Sequence, residues 1–239
     1  MTDEQQSDLP AEPQRHMREV RSFVKRVGRR TPSQERALEQ HFAVYGLKLD
    51  NGLINPADIY GREAPLVVEI GFGMGDSMVA MAAAMPDKNF LGIEVHEPGV
   101  GRLLNNVSLQ GLSNVRVYCD DAVKVLADCL ADASIDTLQL FFPDPWPKKK
   151  HHKRRIVQPD FVEKLRSKLK LGGVFHMATD WQPYAEHMME VMTMAPGYSN
   201  VQGVGEYSPQ PEWRPVTKFQ RRGENLGHGV WDLMFERTE

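Results

Sequence analysis

The stretch from Leu66 to Asp76 most restricts what this chain can fold into. It opens with an apolar run, Leu66–Ile70, and continues with glycines at alternate positions, Gly71, Gly73 and Gly75. A short apolar run bounded by turn residues predicts a buried strand of a parallel sheet. Residues 77–85 are rich in helix formers. Strand, glycine turn and helix together predict the start of a nucleotide-binding βαβ unit, in which glycines let a ligand approach the backbone.

An acidic residue, Glu69, stands two positions before the first glycine. Dinucleotide-binding turns follow the spacing G-x-G-x-x-G, which seats a pyrophosphate on the helix N-terminus, whereas the spacing here is E-x-G-x-G-x-G. A carboxylate aimed at the ligand repels a pyrophosphate and attracts a cation. The pattern therefore favours a cofactor with a cationic end, such as the amino-acid end of S-adenosylmethionine, over a merely tight turn.

The 239 residues suffice for one domain with a modest extension. No apolar stretch approaches the ~20 residues that span a bilayer, and residues 1–15 lack the apolar centre of a signal peptide. The two cysteines, Cys119 and Cys129, follow no metal-ligand spacing and favour a reducing compartment. We therefore expect a cytoplasmic protein with no membrane partner and no metal. The sequence does not distinguish a monomer from a homodimer.

Basic residues are concentrated in two segments, although the formal net charge is only −3. Residues 15–30 hold seven basic residues against one acid, and residues 148–155 hold six basic residues and two histidines with no acid. Local patches, rather than the total, determine the potential that a polyanion meets. Two such runs, one beside a candidate active site, favour nucleic acid or another polyanion as the partner over a solvated face.

Apolar runs and helical patterns alternate beyond residue 64, which predicts a doubly wound α/β sheet. After the first strand, the predicted strands cover residues 89–95, 115–119, 135–142 and 174–178, and two strand-like pieces at 216–219 and 230–235 suggest an antiparallel edge pair. Thr31 followed by a proline predicts a helix start. We divide the chain into a disordered tail (1–17), a basic extension (18–63) and a catalytic domain (64–239).

Acidic residues follow the predicted strands, at the edge where open α/β sheets bind ligands. Glu94 lies about twenty residues past the glycine turn, where a carboxylate accepts hydrogen bonds from ribose hydroxyls. Asp120 and Asp121 end the third strand; either could accept from an adenine amine, and a helix cap is an equal alternative. Together with Glu69, these acids outline a bound adenosine with a charged amino-acid tail.

The fourth predicted strand ends in a loop that contains three prolines, at 143, 145 and 147. Because proline fixes φ, we expect Asp144 and Trp146 to lie in a stiff loop. An acid and an aromatic ring held in this way suit a planar base, with Trp146 stacking on it and Asp144 bonding its edge. The alternative is a proline-stiffened turn around a buried tryptophan, and the basic residues that follow at once favour the base.

These motifs resemble the bacterial tRNA (guanine-N7)-methyltransferases. The matching segments are EIGFGMG at 69–75, GIE at 92–94, FPDPWPK at 142–148 with KRR at 153–155, ATD at 178–180 and TKF at 217–219. The resemblance covers about residues 18–237 and implies a Rossmann-like class I methyltransferase fold, with a mostly parallel seven-stranded sheet and an antiparallel C-terminal edge. It also implies S-adenosylmethionine as methyl donor and guanosine 46 of the tRNA variable loop as substrate.

The resemblance implies roles for individual residues as well. Residues on the cofactor side are Glu69, Gly71, Gly73, Gly75, Glu94, Asp121 and Asp144, of which Asp144 is also the catalytic residue. Residues on the substrate and RNA side are Lys148, Lys150, His151, His152, Lys153, Arg154, Arg155, Asp180, Thr217, Lys218, Phe219 and Gln220. The last of these positions is usually Glu in the family, so Gln220 keeps an acceptor oxygen without the charge.

Guanine N7 carries an exposed lone pair, so in-line attack on a sulfonium methyl group requires no base. The purine becomes cationic as the methyl group arrives, and a carboxylate at its edge, Asp144 or Asp180, stabilises that charge. Three alternatives stay open: a methyltransferase of small molecules or proteins, a non-catalytic RNA-binding protein with this fold, and a nicotinamide-binding Rossmann protein. The glycine spacing and Glu69 disfavour the last.

Overall fold

The computed structural model describes residues 22–23, 28–225, 227 and 229–239. The predicted tail and most of the first basic run lie outside these ranges. The strands are β1 (Gly46–Leu47), β2 (Leu66–Ile70), β3 (Asn89–Ile93), β4 (Val115–Tyr118), β5 (Ile135–Phe141), β6 (Leu169–Thr179), β7 (Tyr198–Asn200) and β8 (Trp231–Arg237). The helices are α1 (Pro32–Tyr45), α2 (Pro56–Tyr60), α3 (Asp76–Ala84), α4 (Glu97–Leu109), α5 (Ala122–Asp128), α6 (Pro159–Lys168), α7 (Gln182–Met194) and α8 (Lys218–Asn225). Two 3-10 turns cover Leu49–Asn51 and Lys149–Arg154.

The strands form one sheet in the order β1-β4-β3-β2-β5-β6-β8-β7. Strands β1 to β6 pair in parallel, and β8 is antiparallel to both β6 and β7. The chain proceeds outward from β2 in one direction and returns to β5 on its other side, so the strand order reverses between β2 and β5. This confirms the predicted fold class. The sheet exceeds the expected seven strands by the short β1, which the N-terminal extension contributes.

The central strands are buried on both faces, as their continuous apolar sequences predict. Val68 and Leu91 belong to one apolar layer, whereas Val67 and Phe90 belong to the layer on the opposite face. Helix α1 packs against α4 and is capped as predicted: Thr31 Oγ1 accepts from the N–H of Gln34, whose side chain accepts from the N–H of Thr31. The division of the chain at residue 64 stays a prediction.

The predicted strands at 89–95, 115–119 and 135–142 correspond to β3, β4 and β5, which are one or two residues shorter. The strand predicted at 216–219 is wrong, because α8 begins at Lys218. Thr217 Oγ1 accepts from the N–H of Gln220 at 3.1 Å, a helix-capping bond that overrides the β propensity of the segment. Among the helices of the described residues, none has the length and apolar content that a bilayer crossing requires.

Candidate active site

A cavity of about 450 Å³ opens at the carboxyl ends of β2, β3, β4 and β5. Open α/β sheets bind ligands at this edge, next to the reversal of strand order. The cavity wall includes five residues predicted on the cofactor side, namely Gly71, Gly73, Glu94, Asp121 and Asp144. Two other cavities, of about 500 and 560 Å³, lie along α6, and neither includes the glycine turn. The convergence of predicted residues identifies the first cavity as the candidate active site.

The glycine turn needs glycine for two physical reasons. Gly71, Gly73 and Gly75 all have positive φ, at 75°, 59° and 76°, a region that disfavours residues with a β-carbon. A β-carbon at Gly75 would also lie 2.6 Å from the side chain of Leu103, so the glycine permits α3 and α4 to pack closely. Gly75 lies behind the cavity and acts through packing, whereas Gly71 and Gly73 line it.

Glu94 joins the glycine turn to the end of β3. Its Oε2 accepts from the N–H of Gly73 at 2.9 Å, and its Oε1 accepts from the N–H groups of Val95 and His96 at 2.7 and 2.9 Å. A carboxylate has about four acceptor sites, so three backbone bonds leave capacity for a ligand hydroxyl. The geometry fits the role predicted for Glu94 toward a ribose.

Glu69, the penultimate residue of β2, is a buried carboxyl group, only 3% exposed, and it does not itself line the cavity. Within the described part of the chain, its Oε2 has no hydrogen-bond partner. Burial, together with the negative charge of Glu94, raises the pKa of Glu69 from its usual 4.5 to about 8. A buried carboxyl group without a partner is suited to a cationic ligand group, whose approach would favour the ionised form.

The acids after β4 combine two functions. Asp121 caps α5, since its Oδ1 accepts from the N–H of Val123 at 3.0 Å. Asp120 Oδ1 accepts from the N–H of Asp121 at 2.7 Å. Both acids nevertheless line the cavity. The helix cap considered as an alternative is therefore present at Asp121, together with a position in the cavity wall.

The proline-rich loop after β5 places Asp144 in the cavity wall, where its side chain is exposed. Phe142 and Trp146 flank it with positive φ values of 52° and 45°, an uncommon conformation for large side chains. Arg155 supports the loop by donating from Nε to the carbonyl of Pro145 at 3.0 Å. Arg155 is only 3% exposed. It thus contacts the loop from the interior, although the sequence assigned it to the RNA side.

Trp146 contacts the basic segment that follows it. The guanidinium carbon of Arg154 lies 3.9 Å from the centroid of the indole ring, and the His151 ring is nearly parallel to the indole at 5.9 Å. The indole Nε1 donates to the carbonyl of Ser22 at 3.2 Å. A base could stack on the face that Arg154 covers only if Arg154 moved away. Sequence reasoning assigned Trp146 to a base and Arg154 to the RNA side, and it did not predict the contact between them.

The remaining members of the basic segment form a surface beside the cavity. Lys148, Lys150 and Lys153 are exposed, and His151 and His152 are half-buried. Burial, with the positive charges of the surrounding lysines and Arg154, lowers the pKa of His151 below its usual 6.5. His151 is therefore neutral at pH 7 and adds no charge to this surface.

Asp180 and the predicted substrate-side stretch from Thr217 to Gln220 come together around α8. Lys218 Nζ lies 3.3 Å from Asp76 Oδ2, at the start of α3, which joins α8 to the glycine-turn helix. A β-carbon at Gly223 would lie 3.0 Å from Cβ of Asp180, so α8 also passes directly over Asp180. Gln220 differs from its predicted neighbours because it is buried, at 4% exposure. The side chain of Phe219 lies outside the described atoms.

Several side chains near the site were not found from the sequence. Arg214, Asp232 and His176 form a buried polar cluster against α8, and the carbonyls of Ser22 and Phe23 accept from Trp146 and Arg154. No local sequence signal marks them, because their burial depends on contacts between distant segments. Within the described residues, no group of three or more His, Cys, Asp or Glu side chains is arranged to hold a metal ion.

In this sheet the strand order reverses beside a glycine turn that follows an acidic residue, and the last strand, β8, is antiparallel to its neighbours. These features are those of the class I methyltransferase fold. The fold is shared with the solved 16S rRNA methyltransferase KamB, at a TM-score of 0.55 and 15% identity over 93% of this chain and 100% of that chain. The sequence model of the family described as "Putative methyltransferase" matches residues 63–233.

Curated relatives of this chain carry the name tRNA (guanine-N(7)-)-methyltransferase, and two of them illustrate the similarity. The protein from Saccharophagus degradans is 63% identical over 227 residues, which cover 95% of this chain and 99% of that protein. The protein from Ectopseudomonas mendocina is 59% identical over 239 residues and covers all of both chains. The chain belongs to the tRNA (guanine-N(7)-)-methyltransferase family, which confirms the resemblance seen in the sequence. Family and fold together imply dependence on S-adenosylmethionine.

Proposed function

We propose that this protein transfers the methyl group of S-adenosylmethionine to N7 of a guanosine in tRNA, at position 46 of the variable loop, and so forms 7-methylguanosine. One observation carries the proposal: Asp144 lines the cavity of the glycine turn, and the chain runs from it directly into an exposed basic segment. A cofactor cavity and a polyanion surface therefore share one loop. The names of the two relatives support tRNA as the substrate and guanine N7 as the acceptor atom.

The cavity residues, together with Glu69 next to them in β2, fit this cofactor. Glu94 would accept from the ribose hydroxyls, and the Glu69 carboxyl, whose Oε2 has no partner among the described residues, would meet the ammonium group of the amino-acid end. Asp121, with Asp120 beside it, would accept from the adenine amine. The bound cofactor supplies an electrophilic methyl group on a sulfonium centre. The glycines would let its amino-acid end approach the backbone without steric conflict.

The role of the protein in the reaction is to position the base and stabilise charge. N7 of guanine has its lone pair available, so no side chain needs to remove a proton before attack. Asp144, on a loop fixed by prolines and Arg155, would hold the base edge and stabilise the positive charge that develops on the purine. Asp180, which lies under α8, would contact the base or its ribose from the substrate side.

The exposed lysines of 148–153 and Arg154 would bind phosphates of the tRNA backbone and so orient the variable loop over the cavity. Folded RNA is recognised largely by shape, and the target base is expected to turn outward to reach the methyl group. A tRNA-modifying role is consistent with a cytoplasmic location, which we propose for this enzyme.

The test is to incubate the purified protein with S-adenosylmethionine and unmodified tRNA transcript, then digest the RNA and identify the nucleosides by mass spectrometry. New 7-methylguanosine is the expected product. A transcript with adenosine at position 46 serves as the control and should stay unmethylated. A different methylated nucleoside would contradict the choice of N7, methylation of the control transcript would contradict the position, and no methylation would contradict the activity.

A further inference from the structure

A buried arginine connects the C-terminal segment to the candidate active site. Arg214 is 1% exposed and has the largest side chain among the fully buried residues described. One terminal nitrogen donates to Asp232 Oδ2 at 2.8 Å, and the other donates to Gln220 Oε1 at 3.0 Å. The amide of Gln220 in turn donates to Gln210 Oε1 at 2.7 Å. The planar guanidinium thus holds a strand residue and a residue of α8 at the same time.

The charges of this cluster are balanced. Asp232 supplies one carboxylate for the guanidinium, and its other oxygen lies 2.7 Å from His176 Nε2. Burial lowers the pKa of His176, so its ring is neutral at pH 7. One positive and one negative charge therefore face each other in the interior. The amide at Gln220 adds an acceptor without adding a second negative charge.

Arg214 also contacts the residues that lead into the catalytic loop. Its guanidinium carbon lies 5.7 Å from the ring centroid of Phe141 and 5.8 Å from that of Phe142. Phe142 has a φ of 52°, a strained conformation that surrounding contacts must maintain. Asp144 follows two residues later. The arginine therefore contacts both the base of the Asp144 loop and the segment that contains Thr217 and Gln220.

We propose that Arg214 is a positioning residue for methyl transfer, and this proposal rests on the proposed function. Its guanidinium sets the distance and orientation between the Asp144 loop and α8, the two elements that would contact the guanosine from opposite sides. Arg214 does not line the cavity, and its burial prevents contact with RNA phosphates. Gln220 acts through Arg214 and stabilises the substrate side from the interior.

Two decisive variants, Arg214→Lys and Gln220→Met, change the number of bonds and leave the net charge in place, and a third, Gln220→Glu, adds a negative charge but keeps the acceptor. Arg214→Lys keeps a cation for Asp232, but a single ammonium lacks the planar fork that reaches Asp232 and Gln220 together. Gln220→Met removes the acceptor and leaves the Arg214–Asp232 pair, whereas Gln220→Glu keeps an acceptor oxygen. Arg62→Lys is the matched control, since Arg62 also donates two bonds, to Asn89 and Lys88, at the opposite edge of the sheet.

The measurements are kcat, KM for tRNA and the dissociation constant of S-adenosylmethionine, with kcat normalised to the cofactor-binding stoichiometry. For Arg214→Lys we expect kcat to fall by roughly 100-fold, because small displacements of positioned groups have effects of that size, while KM and cofactor affinity stay within about threefold. Gln220→Met should reproduce the fall in kcat, whereas Gln220→Glu should keep most of the original kcat. The double variant Arg214→Lys/Gln220→Met should have a kcat no lower than that of Arg214→Lys alone.

A normal kcat in Arg214→Lys, or a rise in KM with kcat unchanged, would overturn the proposal. If Arg214→Lys does not fold, the contrast between Gln220→Met and Gln220→Glu decides, and equal kcat values in that pair would also overturn it. An equal loss of kcat in Arg62→Lys would also overturn it, because it would mean that any arginine with two internal hydrogen bonds has this effect. Absence of 7-methylguanosine with the unaltered protein would instead contradict the proposed function itself.

Discussion

The Oε2 atom of Glu94 lies 2.9 Å from the backbone nitrogen of Gly73 and accepts its hydrogen bond. The bond joins the carboxyl end of β3 to the glycine turn after β2, which are adjacent strands. Because the other carboxylate oxygen accepts from Val95 and His96, both oxygens of Glu94 are fixed before any ligand arrives. The two elements expected to hold the adenosine are thereby fixed relative to each other.

Glu94→Gln should weaken cofactor binding strongly. An amide has an acceptor on one side only, so its NH₂ group would face a backbone N–H. Charged hydrogen bonds of this kind contribute about 1.5–3 kcal/mol, which corresponds to roughly a 10- to 100-fold rise in the dissociation constant of S-adenosylmethionine. Calorimetric titration measures it, with the exposed Asp87→Asn as control. Unchanged affinity would show that Glu94 does not contribute to binding.

The raised pKa of Glu69 predicts a pH-dependent difference in stability from Glu69→Gln. Between pH of about 4.5 and about 8 the unfolded carboxyl has lost its proton while the folded one keeps it, so rising pH destabilises the unaltered protein. The glutamine variant lacks this pH-dependent loss of stability. As the pH rises through this window, its free energy of unfolding should therefore increase relative to that of the unaltered protein, by up to roughly 1.4 kcal/mol per pH unit.

Urea unfolding of both proteins at several pH values across this window measures the difference. Below the window both side chains are neutral, so the difference between the two free energies of unfolding should no longer change with pH. A difference that stays constant across the window would mean that Glu69 ionises with an ordinary pKa in the folded protein.

Removal of Lys150 and Lys153 should reduce the salt dependence of tRNA binding. Both side chains are exposed beside the cavity, and each phosphate contact contributes about 0.7–0.9 to the slope of log affinity against log salt. The double alanine variant should lower the slope by roughly 1.5. Lys88→Ala, just before β3 and away from the cavity edge, should leave the slope unchanged. A flat salt response of the unaltered protein would contradict the assignment of the basic segment.

Trp146 and Arg154 should stabilise each other measurably. A cation–π pair at a half-exposed site contributes about 0.5–1 kcal/mol, so a double-mutant cycle of Trp146→Leu and Arg154→Met should give a coupling energy of that size in urea unfolding. The cycle of Trp146→Leu with Lys88→Met provides the reference and should give none. Zero coupling in the first cycle would mean that the stacked arrangement does not persist in solution.

Asp144→Asn should lose turnover while it keeps the fold. The side chain is exposed, so its replacement by an amide of the same shape disturbs little packing. An amide cannot neutralise the charge that develops on the purine, and loss of one such group lowers kcat by roughly 100- to 1000-fold. Steady-state kinetics with tRNA measure kcat, and the thermal midpoint verifies folding. A near-normal kcat would remove Asp144 from the mechanism.

Local sequence patterns were sufficient to predict the α/β fold and the edge of the sheet at which the candidate site lies. An apolar run followed by glycines in left-handed conformation is a local property, because φ is restricted residue by residue. The carboxyl ends of parallel strands meet at one edge, so the glycine turn, Glu94, Asp121 and Asp144 converge as soon as the strands are located. For the same reason the capped start of α1 at Thr31 was predicted correctly.

The surroundings of these residues depend on tertiary contacts that the sequence patterns did not predict. Arg155 and Gln220 belong to sequence segments that are otherwise basic or polar, yet both are buried, and their partners come from other parts of the chain. The segment at 216–219 has strand-like residues, but the hydroxyl of Thr217 starts a helix and β8 pairs with β6 and β7 instead. Burial and pairing arise from contacts between distant segments, which local propensity and spacing do not encode.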